Sequence, residues 1–437
     1  MKYCSANNPA NVTDFRNAVL RSIAEDGGLF MPAAIPAMSP GLIRALPGLT
    51  LPEIALKALS GYVGDMPKSD LQHIVAQAFN FDAPLIALDH SLFVLELFHG
   101  PTLAFKDFGA RFLAQCLAFF NKDENRELLI LAATSGDTGS AVANSFYGKA
   151  GIKVGLLYPG GMVSRIQEQQ LTTIGGNIHA FEVQGTFDDC QRLVKCAFAD
   201  PEIRSRCNLS SANSINIARL LPQSVYYFHA WGQLQKHTGA EHAIFTVPSG
   251  NFGNLTAGLI ASISGLPVKR FIAALNANAV FMTYLEQGRY EPRPTIKTLS
   301  NAMDVGDPSN FARLSALFKN DLHTFRRRIF SESATDAETM ESIRHIHQKY
   351  GYMIDPHGAV GCCALDKFRK QTSDKTPAIV LETAHPAKFS NIVEKALHIQ
   401  PEMPARLSAC LEKQKQATQI SGQFEEFKEA LIGMVNT

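Results

Sequence analysis

The sequence predicts an α/β fold built on parallel sheet, preceded by a mainly helical N-terminal region. Three observations carry this. From Leu92 onward, short apolar runs are each ended by turn residues and followed by a segment of helix length, the rhythm of successive βαβ units. Before that point, helix-like stretches alternate with loops rich in proline and glycine, and no clear sheet emerges. The 437 residues are 46% hydrophobic and 19% charged, which fits a folded chain with a large core and excludes a disordered, collagen-like or coiled-coil protein.

In order, the N-terminal helix-like stretches are Phe15–Ala24, Pro52–Leu59 and Leu71–Phe79, with Gly27-Gly28-Leu29-Phe30-Met31-Pro32 as a representative loop. Strands are predicted at Phe93–Phe98, Leu128–Ala133, Val154–Pro159, Ile178–Val183, Ala243–Pro248, Phe271–Leu275 and Ala378–Glu382. Helices are predicted at 105–120, 138–148, 163–174, 187–199, 217–236, 254–264, 336–349 and 388–397. The first shows its core face as Phe108, Phe112 and Cys116, four residues apart. No internal repeat or low-complexity tract interrupts the pattern. The expected divisions are an N-terminal region over 1–92, a smaller α/β domain over 93–236 and a larger one over 237–437.

Charge and composition narrow the function. Lysine and arginine total 41 against 40 acids, so a net charge of +1 supplies no global field for nucleic acid or a lipid surface, and any anion must be met locally. No apolar run is long enough to span a bilayer and the first residues lack a signal-peptide core, so a cytoplasmic protein is expected. The eight cysteines are scattered without a C-x-x-C, which favours buried thiols over disulfides or a zinc ribbon. His345 and His347 are two residues apart in a predicted helix, which splays their rings, and no H-E-x-x-H surrounds them; no metal is expected.

Ligands of open α/β sheets bind beyond the carboxyl ends of the strands. Unusual loops follow there at Thr134-Ser135-Gly136-Asp137-Thr138-Gly139, at Ser249-Gly250-Asn251-Phe252-Gly253-Asn254 and at Thr383-Ala384-His385-Pro386. The glycines of the second let backbone N–H groups approach an anion at a helix start, as in a phosphate cradle, although a turn needed only for tight packing accounts for them equally well. Neither G-x-x-x-x-G-K-[ST] nor G-x-G-x-x-G occurs, so nucleotide and dinucleotide binding lose their main support. The hydroxyls of Thr134, Ser135 and Thr138 around Gly136 exceed what helix capping requires and suit a carboxylate or phosphate. Lys106 stands among apolar residues near a helix start, where desolvation and the helix dipole both disfavour an ammonium and leave a nucleophilic amine suited to a Schiff base; a lysine snorkelling along the helix is the plainer alternative. Asn213, Ser214 and Arg219 place an amide, a hydroxyl and a guanidinium around one helix start, a possible second phosphate clamp or a simple cap with a solvated arginine.

Together with Lys2-Tyr3-Cys4-Ser5, His99-Gly100-Pro101-Thr102, Phe105-Lys106-Asp107, Asn301-Ala302-Met303-Asp304-Val305-Gly306, Asp355-Pro356-His357-Gly358 and Thr383-Ala384-His385-Pro386-Ala387-Lys388-Phe389, these stretches give the chain a close resemblance to the threonine synthase family. The resemblance runs along nearly the whole chain. It implies the pyridoxal-phosphate type II fold, with two open, twisted, mostly parallel sheets flanked by helices. It further implies pyridoxal 5′-phosphate as cofactor, Lys106 as its Schiff-base lysine, Ser249 and Gly250 to Asn254 around its phosphate, and Thr383 on its pyridine nitrogen. Thr134, Ser135, Gly136 and Thr138 would hold the substrate carboxylate, and Asn213, Ser214 and Arg219 the substrate phosphate. Asp137 stands where the wider fold family usually has an asparagine near the cofactor's phenolic oxygen.

The implied reaction turns O-phosphohomoserine and water into threonine and phosphate by γ-elimination and β-addition, with a monomer or homodimer and neither nucleic acid nor membrane as partner. Two alternatives stay open. A phospho-lyase of the same fold would release 2-oxobutyrate instead, and a non-catalytic phospho-ligand-binding protein would keep the fold without the chemistry.

Overall fold

The computed structural model describes residues 1–64, 66–122, 126–134 and 136–436. The N-terminal region does contain a sheet: β1 (Lys2–Ser5) pairs antiparallel with β2 (Val12–Asp14) and β3 (Phe30–Pro32). Strands of three or four residues are too short to display an alternating pattern, and Phe30–Pro32 is buried on every residue.

The remaining strands in chain order are β4 (Leu85–Ala87), β5 (Leu92–Glu96), β6 (Leu128–Ala133), β7 (Ile152–Pro159), β8 (Ile178–Gln184), β9 (Asn208–Ser211), β10 (Ala243–Pro248), β11 (Val268–Leu275), β12 (Ile329–Ser333), β13 (Ala378–Glu382) and β14 (Thr418–Ser421). They form two sheets, ordered β12-β11-β10-β13-β5-β4 and β14-β8-β7-β6-β9. All pairs are parallel except β4 with β5. The central strands β6, β10 and β13 are buried at every residue, as helices on both faces of a parallel sheet require.

Sheet membership does not follow the boundaries expected at 93 and 237. β5 lies beside β13 and β14 lies beside β8, so each sheet takes strands from both sides of the 237 boundary. An open parallel sheet accepts a strand wherever an edge is free, and order along the chain does not constrain the choice.

Two differences among the helices bear on the site. The segment 217–236 is two helices, Ile217–Leu220 and Gln223–Thr238, parted at Pro222, which has no N–H to continue the ladder. A long helix at Pro356–Thr372 escaped the sequence pattern because its first half is buried on all sides and shows no amphipathic period. A Cβ at its Gly361 would lie 2.8 Å from Val380 Cγ1, so glycine sets how closely the helix approaches β13. No helix among the described residues is long and apolar enough to cross a membrane.

Candidate active site

The carboxyl ends of β6, β9, β10 and β13 open onto one cavity of about 1380 Å³. Its wall includes Lys106, Thr134, Thr138, Asn213, Ser214, Arg219, every residue from Ser249 to Asn254, and Thr383. Gly136 is not on the wall, and Asp137 sits just behind it, against Lys106. Ser135 lies outside the described residues.

Between β10 and the helix Gly253–Ile263, the loop bends through Phe252, which adopts a left-handed φ of 59°. A Cβ at Gly250 would lie 2.7 Å from Met303 Cα, so only glycine allows the turn Asn301–Met303 to press against this loop. Asn254 is 6% exposed, and its Oδ1 accepts from Tyr226 at 2.6 Å and Tyr227 at 2.7 Å. That fixes its Nδ2 as a buried donor with no partner among the described residues. A loop closed to side chains, a helix N-terminus and an unspent amide donor fit a phosphate.

Lys106 begins the helix Lys106–Asn121. The preceding Phe105 N–H donates to the Thr383 carbonyl at 2.9 Å, which ties this helix start to the end of β13. Lys106 Nζ lies 3.9 Å from Asp137 Oδ2, and its side chain keeps 16% exposure. Burial pushes its amine below the ordinary lysine range; Asp137 opposes that shift, while Lys388 and Arg219 reinforce it.

Asp137 is itself clamped. Lys388 Nζ reaches its Oδ1 at 2.7 Å and also donates to the Thr102 carbonyl at 2.9 Å, with the ammonium side chain fully buried. Gln167 Nε2 donates to the same Oδ1 at 3.0 Å. Burial alone would raise the Asp137 carboxyl, but Lys388 and then Lys106 outweigh it and hold the group well below the usual carboxylate range. The hydroxyl of Thr134 accepts from Gly139 N–H at 2.7 Å and Gly136 N–H at 3.1 Å, closing the turn that starts the helix Asp137–Phe146.

Arg219, packed against the Lys106 helix at Gly109, is 4% exposed. It donates through Nη1 to the Ala212 carbonyl, and its Nε has no partner among the described residues. Burial lowers its pKa to about 10, so it stays charged at neutral pH. Asn251 Nδ2 donates to Ser214 Oγ at 2.8 Å, joining the loop after β10 to the loop after β9.

This geometry coincides with sequence-wide similarity to known proteins. A family model described as pyridoxal-phosphate dependent enzyme matches residues 80–383, and models described as threonine synthase N terminus and threonine synthase, C-terminal match 2–79 and 358–431. Threonine synthase of Haemophilus influenzae is 45% identical over 408 residues, covering 93% of this chain and 94% of that protein. The chain belongs to the threonine synthase family. A pyridoxal-phosphate-bound threonine synthase structure from Brucella melitensis superposes with a TM-score of 0.93 at 36% identity, covering 100% of both chains. The yeast threonine synthase structure gives 0.92 at 31%, covering 100% of this chain and 99% of that one.

Several residues of this threonine synthase family site went unassigned in the sequence. Lys388 and Gln167 are the partners of Asp137. His357 lines the cavity, and its Nε2 accepts the Ala302 N–H at 3.2 Å, which leaves Nδ1 to donate to Asp355 Oδ2 at 2.5 Å. Asp355 also caps the helix Pro356–Thr372, so the motif Asp355-Pro356-His357 starts a helix and braces the Asn301–Met303 turn together. Behind it Glu382 is fully buried, accepts the Asp355 N–H at 2.6 Å, and has its carboxyl pushed far up by burial and by the neighbouring Asp355.

Proposed function

We propose that this chain is a threonine synthase that converts O-phospho-L-homoserine and water to L-threonine and inorganic phosphate, with pyridoxal 5′-phosphate as cofactor. The observation that carries this is one cavity lined by a largely buried lysine and by two neighbouring loops each suited to a phosphate, Ser249–Asn254 and Asn213–Ser214 with Arg219. A cofactor phosphate and a substrate phosphate need two such places.

The residues that would hold the cofactor are Lys106 through its amine, Ser249, Gly250, Asn251, Phe252, Gly253 and Asn254 around its phosphate, Thr383 on its ring nitrogen and Asp137 beside Lys106. Asn251 serves by bracing the loop, since its Nδ2 is spent on Ser214 and its Oδ1 accepts from Ser309 at 2.9 Å. When bound, the cofactor supplies an electron-poor ring that stabilises negative charge on the substrate carbons. A neutral hydroxyl at Thr383, in place of a carboxylate, moderates that withdrawal.

The rest of the chemistry falls to side chains. Lys106 Nζ, with its proton affinity lowered by burial, takes and returns protons at Cα and Cβ. Asp137 stays ionised beside it and steadies the ammonium each time it forms. Ser135 and Thr138 would orient the substrate carboxylate, while Thr134 and Gly136 serve by closing the turn that carries them, since the Thr134 hydroxyl accepts the Gly136 and Gly139 N–H groups. Asn213, Ser214 and Arg219 receive the phosphate that departs, and the charge on Arg219 favours its leaving as an anion.

The deciding experiment incubates purified protein and cofactor with O-phosphohomoserine and measures threonine, phosphate and 2-oxobutyrate. Threonine and phosphate in equal amounts are expected. Phosphate with 2-oxobutyrate and no threonine would make the protein a phospho-lyase, and binding without turnover would make it a non-catalytic binder.

A further inference from the structure

Arg313 lies on the helix Phe311–Phe318, is 0% exposed, and is not among the residues lining the cavity. Its guanidinium nevertheless reaches the back of the loop after β9. Nη1 donates to the Ser214 carbonyl at 2.8 Å and Nη2 to the Ile215 carbonyl at 2.5 Å, while Nε donates to the Phe30 carbonyl on β3 at 3.1 Å. The fork therefore fixes two successive carbonyls of the loop to the N-terminal sheet, a grip that a lysine could not reproduce.

The fourth bond sets the direction of the rest. Nη1 also donates to Asn310 Oδ1 at 2.8 Å, which turns the amide so that Asn310 Nδ2 faces Ser214 Oγ at 3.3 Å. Asn251 Nδ2 donates to the same Oγ at 2.8 Å. With two amides donating to it, the Ser214 oxygen has its lone pairs occupied, and its own hydrogen can only be given away. Ser214 finds no acceptor for that hydrogen among the described residues and lines the cavity. The hydroxyl is a donor waiting for an anion.

We propose that Arg313 is a positioning residue for the substrate's phosphate, acting through Asn310 to hold Ser214 as an obligate donor and through two carbonyls to hold the loop that carries it. This rests on the assignment of that loop to the substrate's phosphate. A second effect works in the same direction: every hydrogen-bond acceptor of Arg313 is neutral, so its charge has no bonded counter-ion and favours an anion on the cavity side of the loop. Burial lowers the Arg313 pKa only to about 9, which leaves it charged at neutral pH.

The test uses holoenzyme and three variants, with inorganic phosphate as a competing ligand. Arg313→Lys keeps the charge and loses the fork. Asn310→Asp keeps the shape, gives Arg313 a counter-ion and accepts where the amide donated, so the fold is retained while the Ser214 hydrogen turns inward. Both variants should raise KM for O-phosphohomoserine and weaken inhibition by inorganic phosphate by roughly tenfold, with a smaller change in kcat and unchanged cofactor affinity. A merely structural role would lower the thermal midpoint and the active fraction and leave KM and phosphate inhibition alone, and that result in Asn310→Asp would overturn the proposal. Ser214→Ala separates the two levels. If it raises KM while Asn310→Asp does not, the orienting role is wrong; if neither moves KM, the loop is not the seat of the substrate's phosphate.

Discussion

Replacing Lys388 by methionine tests the electrostatics around Lys106 most directly. The side chain is 0% exposed and its partner Asp137 is 2% exposed, at 2.7 Å, so removing one partner strands a buried carboxylate. Breaking such a pair costs ~3–5 kcal/mol where nothing else compensates. Here Lys106 remains at 3.9 Å, Gln167 still donates at 3.0 Å, and the Thr102 carbonyl keeps Gln170 at 3.2 Å, which places the expected loss near the lower end, about 3 kcal/mol. Pairing Lys388→Met with Asp137→Asn removes both charges and should cost clearly less than the sum of the two single changes. The pH dependence weakens. In the native protein the depressed Asp137 carboxyl contributes stability that is full above the unfolded value of ~3.9 and is lost as pH falls through the lower folded value. Without Lys388 the strongest lowering influence is gone while Lys106 and Gln167 still oppose burial, so the carboxyl rises toward its unfolded value and the acid-side loss of stability shrinks. Urea unfolding of the cofactor-free protein, followed by the single tryptophan, Trp231, and by far-ultraviolet circular dichroism, measures all of this. A loss below about 1 kcal/mol in Lys388→Met, or strict additivity in the double variant, would refute the clamp.

Three further outcomes are expected. Borohydride treatment of the holoenzyme should leave the cofactor's mass on the peptide containing Lys106 and on no other lysine, and Lys106→Ala should abolish both that label and turnover while the fold persists. Thr383→Asp should retain cofactor, because the bond to Phe105 uses the Thr383 backbone, but should raise the ratio of 2-oxobutyrate to threonine; an unchanged ratio would remove Thr383 from the ring nitrogen. Arg219→Ala should lower kcat/KM for O-phosphohomoserine about ten- to a hundredfold with cofactor affinity near that of the unaltered protein, and a loss confined to cofactor binding would exchange the two phosphate seats.

The sequence disclosed what repeats and what is short-range. β6, β10 and β13 were legible to the residue because a strand buried on both faces is written as an unbroken apolar run closed by a turn. The loops at their carboxyl ends were legible for the related reason that glycines and hydroxyls gather where a backbone must meet a ligand. The β1–β3 sheet and the helix Pro356–Thr372 were not, since one is too short for a period and the other too buried to show one.

The polar and charged groups behind the cavity wall were hidden for a different reason. Lys388, Gln167 and Arg313 each act on a site residue more than twenty positions away in sequence, and a lysine or arginine in isolation is most economically read as a solvated side chain. Their roles become visible only when burial and partner are known together. A fully buried cation whose partners are carbonyls or one carboxylate is too costly to persist as surface decoration, and both Lys388 and Arg313 point their bonds at loops that line the same cavity. The two cations also divide the site. Lys388 neutralises the carboxylate beside Lys106, whereas Arg313 behind the loop after β9 bonds only to neutral acceptors. If the proposed seats are right, the Arg313 charge on the far side of the loop after β9 would draw the substrate's phosphate there and leave its amine to Lys106.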